Sequence, residues 1–172
     1  QDCLNVTVTF APKSIGQANN TLLVDTDDPK AARVSVPLSG TGSNPTISVD
    51  PTDIDFGTVY VGQSAAPRTV SVKNTGNGQL KVTAIGLTAG SSADYKVSAR
   101  PALPATLRDN QQDTITFVVE FTPTNKGAIN GAVQIDSTDA KSPQTTIAIK
   151  GTADYSIGHP CLIQSDCSGS FC

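Results

Sequence analysis

With 172 residues, 12 Lys and Arg against 15 Asp and Glu, and a net charge of −3, the chain has room for two domains at most. This charge balance argues against nucleic acid as a partner, which would call for a clustered basic surface. Charged residues make only 16% of it, and no apolar run approaches the ~18 residues that read as a membrane-spanning helix. There are 21 Thr, 15 Val and 11 Ile, more than a quarter of the chain. A branched Cβ restricts χ1 on a helix and packs well on a pleated sheet, so this composition favours strands.

In chain order, the spacing predicts strands at 4–10, 18–25 and 33–38. They carry Val6, Val8, Phe10, Leu22, Val24, Val34, Val36 and Leu38 as one apolar face. Gly40-Thr41-Gly42-Ser43-Asn44-Pro45 follows, small and turn-prone, and suits a short linker. Further strands are predicted at 46–50, 54–61, 69–73, 80–84, 94–99, 114–121, 129–136 and 145–150. Ile54/Phe56, Val70/Val72, Leu80/Val82/Ala84, Tyr95/Val97, Ile115/Phe117/Val119/Phe121, Val133/Ile135 and Ile147/Ile149 alternate as the inward set. Asn74-Thr75-Gly76-Asn77-Gly78 reads as a tight hairpin turn between two of these strands. No apolar stripe of helical period persists for three turns, so no substantial helix is expected.

Self-similarity at a fixed spacing organises these elements. Phe10-Ala11-Pro12 recurs as Phe121-Thr122-Pro123. The same shift carries Gly16 to Gly127, Asp25 to Asp136, Asp28 to Asp139, Lys30 to Lys141 and Gly40-Thr41 to Gly151-Thr152, with no gap. Residues 45–153 thus form a complete unit, residues 1–44 correspond to its last third, and 154–172 form a Cys-rich tail. Seven or eight short strands in about 110 residues, punctuated by turns, predict an all-β, antiparallel sandwich. At ~1.5–3 kcal/mol per fully buried large side chain, its dozen inward residues can offset the entropy lost on ordering. The N-terminal piece has no such means, since half a sandwich leaves its apolar face wet and its edges unpaired. Met is absent, and no signal-like leader opens the sequence, so a trimmed, processed or excised chain is expected.

Ile54-Asp55-Phe56-Gly57-Thr58-Val59-Tyr60-Val61-Gly62, then Phe121-Thr122-Pro123 with Gly127, then Gly151-Thr152 mark the complete unit. Phe10-Ala11-Pro12 with Gly16, Asp25-Thr26-Asp27-Asp28-Pro29 and Leu38-Ser39-Gly40-Thr41-Gly42 mark the partial one. In this order and spacing, residues 5–153 resemble the ASH family of immunoglobulin-like domains, related to Hydin and major sperm protein. The nearest resemblance is to the "choice-of-anchor D" repeats of secreted bacterial proteins. The resemblance implies a sandwich of seven to nine strands used as scaffold or adhesive module, with no family active site.

Of the four cysteines, Cys161, Cys167 and Cys172 lie in the last twelve residues and Cys3 near the start. The tail resembles the opening of short Cys-rich modules of secreted bacterial proteins. Small polar residues around it cannot build a core, so disulfides are the expected stabiliser, in any of three pairings. His159 beside Cys161 raises zinc, but C-x5-C and C-x4-C spacings fit a structural zinc site poorly. The same His is the sole candidate base, and it stands in a Gly-His-Pro turn without an orienting third group. No catalytic residue, cofactor or metal site is therefore expected. Acidic clusters at Asp25/Asp27/Asp28 and Asp50/Asp53/Asp55 could attract calcium, yet turn chemistry explains them with fewer ligands. Tyr60, Tyr95 and Tyr155 could line a sugar site, or pack over a core.

These readings converge on a non-enzymatic, extracellular or cell-surface structural protein. It would be a segment of a tandem-repeat stalk, adhesin or filament, partnered with itself or adjacent repeats by strand addition and disulfides, without nucleic acid or membrane insertion. The alternative is a module that binds carbohydrate or another cell-surface ligand.

Overall fold

The computed structural model describes residues 5–109 and 113–155. They fall into two compact units, one up to Asn44 and one from Pro45 onward. Among the described residues no helix is long and apolar enough to cross a membrane.

The first unit contains one two-stranded sheet, β1 (Gly16–Asp25) antiparallel to β2 (Arg33–Gly42). The expected strand at 4–10 is not formed in its described part. The reason is visible in the second unit: the counterpart of that segment is a strand flanked by partners on both sides, and residues 5–10 have neither.

Among its described residues the second unit contains nine strands in two sheets. β3 (Ile47–Asp50), β5 (Arg68–Asn74), β9 (Thr114–Phe121) and β7 (Tyr95–Ser98) form one sheet in the order β3-β5-β9-β7. β4 (Asp53–Tyr60), β6 (Leu80–Leu87), β8 (Ala105–Leu107), β10 (Gly127–Ser137) and β11 (Gln144–Asp154) form the other, in the order β4-β11-β10-β6-β8. All pairs are antiparallel except β11 with β4, which runs parallel and shifts register between Lys150 and Thr152. On β4 that shift spans Gly57, whose φ of 67° only glycine adopts freely.

The period-two residues meet between the sheets: Val70, Val72, Phe117 and Val119 from one, Leu80, Val82, Val133, Ile135 and Ile147 from the other, all with no exposure. Phe56, Tyr95 and Phe121 add an aromatic cluster with centroids 4.7–6.0 Å apart. Three expectations are corrected. The 74–78 turn is not a hairpin, because β5 and β6 belong to different sheets and the chain crosses between them there. Ala84 is exposed, since a register shift opposite Asp136/Ser137 breaks the alternation and hands the inward position to Ile85. β8, with only Ala-Thr-Leu, is too short to announce itself by alternation and joins the predicted strands as an addition.

Asn74 holds the crossover. Its side chain is fully buried; its amide donates to Gly78 O at 2.6 Å and Arg108 O at 3.2 Å, and its Oδ1 accepts from Thr46 N and Gly76 N. A buried polar group is tolerated only when bonded in this way.

Candidate interaction face

The hairpin β1–β2 closes on a tight turn. Lys30 N donates to Asp28 Oδ1 at 2.8 Å, Asp28 N to Thr26 Oγ1 at 3.2 Å, and Thr26 N to Ala32 O at 2.9 Å. Asp25 and Arg33 pair across its end. Every one of the three bonds has its counterpart under the shift that carries Phe10 to Phe121. Lys141 N meets Asp139 Oδ1 at 2.8 Å, Asp139 N meets Ser137 Oγ at 3.3 Å, and Ser137 N meets Pro143 O at 2.9 Å. The ladder repeats as well: Gly16 faces Gly42 as Gly127 faces Ala153, and Leu22 faces Val36 as Val133 faces Ile147. Even the aromatic contact recurs. A Cβ on Gly40 would stand 2.7 Å from the Phe10 ring, and one on Gly151 would stand 2.5 Å from the Phe121 ring. The first unit is built as the last hairpin of the second.

Burial separates them. Phe121 is 1% exposed and its counterpart Phe10 52%; Ile147 has no exposure and Val36 41%. Val6, Val8 and Val24, which match the buried Phe117, Val119 and Ile135, are likewise exposed. Leu22 and Leu38, matching Val133 and Ile149, are half-buried. Val34 is exposed and corresponds to Thr145 rather than to an apolar core residue. Val6, Val8 and Phe10 do not extend the sheet of the hairpin, as one face would require. Their counterparts belong to the opposite sheet, so the two groups face each other. Between them, a groove of about 650 Å³ is lined by Val8, Phe10, Ala18, Asn20, Leu38 and Gly40.

The turn aspartates differ in the same sense. Asp139 is 2% exposed, and its second oxygen accepts from Ile47 N at 2.9 Å, the entry to β3. Burial would raise its pKa, but bonds from the N–H groups of Ile47, Lys141 and Ser142 outweigh it and hold the carboxyl below its ordinary value. Asp28 is exposed and has the Lys30 bond without the strand entry. Pro37 stands where β11 has Ala148, so β2 lacks one N–H that β11 carries.

Elsewhere the acidic residues serve turns and ion pairs. Asp55 accepts from Gly57 N at 2.8 Å and lies 3.2 Å from Lys150 Nζ, bonds that lower its pKa. Among the described residues no three His, Cys, Asp or Glu gather to hold a metal. Tyr95 is in the core, its hydroxyl donating to Ile129 O at 2.7 Å. Burial, then the charges of Asp94 and Asp55, push its pKa up to about 12. It lines no sugar platform; Tyr60 is half-exposed. Cys3, Cys161, Cys167, Cys172 and His159 lie outside the described residues.

Nine strands in two facing sheets define the second unit as an immunoglobulin-like β-sandwich. The family model of the ASH domain (abnormal spindle-like microcephaly-associated, ASPM-SPD-2-Hydin) matches residues 45–145, and the chain belongs to that family. The ASH domain is a non-catalytic interaction fold. No curated protein matches the sequence. Among solved structures, a protein of unknown function from Porphyromonas gingivalis W83 is similar at 14% identity and TM-score 0.52, over 83% of this chain and 68% of that one. The Vibrio cholerae VesB protease is similar at 15% identity and TM-score 0.51, over 62% of this chain but 31% of its own. The ASH/PapD-like domain 7 of human CEP192 aligns at 12% identity and TM-score 0.44, over 64% of this chain and 86% of that one. At such identities the first two likenesses speak for the fold alone.

Proposed function

We propose that the chain is a non-enzymatic structural module of a secreted, bacterial-type surface protein. It would be a segment of a stalk, adhesin or filament whose N-terminal hairpin is completed by strands from outside residues 5–44. The observation that carries this reading is the exposed apolar face, whose counterparts in the sandwich have almost no exposure. An isolated two-stranded hairpin is marginal in water, and an apolar face of this kind marks a contact. Added strands would supply main-chain hydrogen bonds along the open edges and apolar contacts above the face. The C-x5-C-x4-C tail supports an oxidising exterior, where disulfides persist.

Hydrogen exchange on the monomer tests the completion. Amides in 16–42 should exchange far faster than those in 127–153, and a hydrophobic dye should bind the monomer. Equal protection of both hairpins in a monomer would overturn the reading. Four thiols that stay free after air oxidation would remove its extracellular part.

A further inference from the structure

We propose that the occupant of the hairpin face is the first two-thirds of another repeat of this kind, a segment equivalent to residues 45–111 with no closing hairpin of its own. This rests on the assembly reading above and specifies its partner. The second unit shows what such a hairpin is built to meet. β11 is flanked by β4 in parallel, with Ile149 opposite Ile54; β10 is flanked by β6 in antiparallel, with Val133 opposite Leu87 and Ile135 opposite Ile85. Carried back to the first hairpin by the same shift, Leu38 receives an Ile54-type residue, Leu22 a Leu87-type residue and Val24 an Ile85-type residue.

Three further features agree with that occupant. Phe10 already rests on Gly40 as Phe121 rests on Gly151, which leaves the rest of the ring for aromatics of the Phe56 and Tyr95 type. Asp28 keeps its turn bond and offers its second oxygen, the one that in Asp139 accepts the Ile47 N–H. The groove along Val8, Phe10 and Leu38 lies where the sandwich interior would close. A second copy of this chain does not fit the same description. Its own residues 45–107 already spend their inward side chains on β10 and β11, with Ile54, Ile85 and Leu80 at 3% exposure or less.

The test is an extended chain in which a copy of residues 45–111 precedes residue 1, restoring the repeat period without a gap. The copied segment is competent, since it closes with β10 and β11 in the compact second unit. Amides in 16–42 should then slow by at least about 100-fold, toward those of 127–153, as expected when local opening becomes cooperative unfolding. Leu38→Asp in the extended chain should abolish that slowing and leave 127–153 unchanged. Exchange in 16–42 that ignores the extension overturns the proposal. So does a concentration-dependent dimer of the unextended chain in which 16–42 becomes protected, which keeps the assembly reading but assigns the face to a second copy. Protection of 16–42 in the unextended monomer overturns both.

Discussion

The two hairpins of this protein share turn, register and aromatic contact, and differ in what lies against them. Their turn bonds match, down to the Lys30–Asp28 and Lys141–Asp139 bonds of 2.8 Å. Stability in the second comes from the strands on either side and the sheet opposite, not from the hairpin itself. The comparison therefore separates what a β-hairpin does alone from what a sandwich does for it. Making the same substitution in both hairpins tests this most directly.

Phe121→Ala should cost about 3–5 kcal/mol, because it empties a filled aromatic cluster. Phe10→Ala should stay within about 0.5 kcal/mol, as an exposed side chain away from any core. Urea unfolding of the second unit measures the first, and hydrogen exchange of the amides in 16–42 measures the second. Equal losses would mean that Phe10 is already enclosed. Gly151→Ala is the next largest. Its Cβ would sit 2.5 Å from a ring that cannot move aside, at a cost of about 1–3 kcal/mol. The Phe10 ring over Gly40 is half-exposed and can swing away, so Gly40→Ala should leave unfolding unchanged within about 0.5 kcal/mol.

The same contrast explains how much of the molecule was legible in the sequence. Alternation and the gapless repeat disclosed both hairpins and most inward residues, because a strand's side-chain period is set locally. The pattern at Val6, Val8 and Phe10 is also that of a strand, yet none forms there. A ladder needs partners, and residues 5–10 lack those that β5 and β7 give β9. Turn chemistry at 74–78 announced a reversal but not its destination, since Gly and Asn permit a hairpin and a sheet crossover alike. In the sequence Asn74 is one more turn residue; in the fold its amide reaches Leu107 O and Arg108 O, far along the chain, which no local pattern encodes. The apolar residues themselves were readable, but not that Val6, Val8 and Phe10 stand opposite the hairpin instead of on one face with it. Its occupant became arguable only when the complete hairpin showed which neighbours cover the matching residues.

Asp139 gives a further, pH-dependent distinction. Its carboxyl is held below the ordinary value in the folded protein. Its contribution is thus fully present above the unfolded aspartate pKa of about 3.9 and fades as pH falls through the lower folded value. Asp139→Asn should destabilise the second unit by about 1–3 kcal/mol at pH 7 by weakening the bonds to the N–H groups of Ile47, Lys141 and Ser142. It should also flatten the acid limb of the stability curve. Asp28→Asn should leave the stability of the second unit at pH 7 unchanged. Denaturant midpoints between pH 2 and pH 7 check the pair, and an unaltered acid limb in the Asp139 variant would show that other carboxylates govern it.

The smallest expected effect runs in the opposite direction, and the incomplete hairpin supplies it. Thr145 faces the interior of the second unit with its Oγ1 buried and without a hydrogen-bond partner. The first hairpin carries Val34 at that position. A hydroxyl withdrawn from water without compensation costs free energy, whereas a methyl of nearly the same shape does not. Thr145→Val should therefore raise the stability of the second unit by about 1 kcal/mol. The reciprocal Val34→Thr should change nothing in the free hairpin, where water reaches the side chain. In the extended chain, however, it should lower the stability of the completed first unit. A cost that appears only on completion would show that the neighbours decide the difference, and a Thr145→Val variant no more stable than its parent would show that the hydroxyl is satisfied in solution.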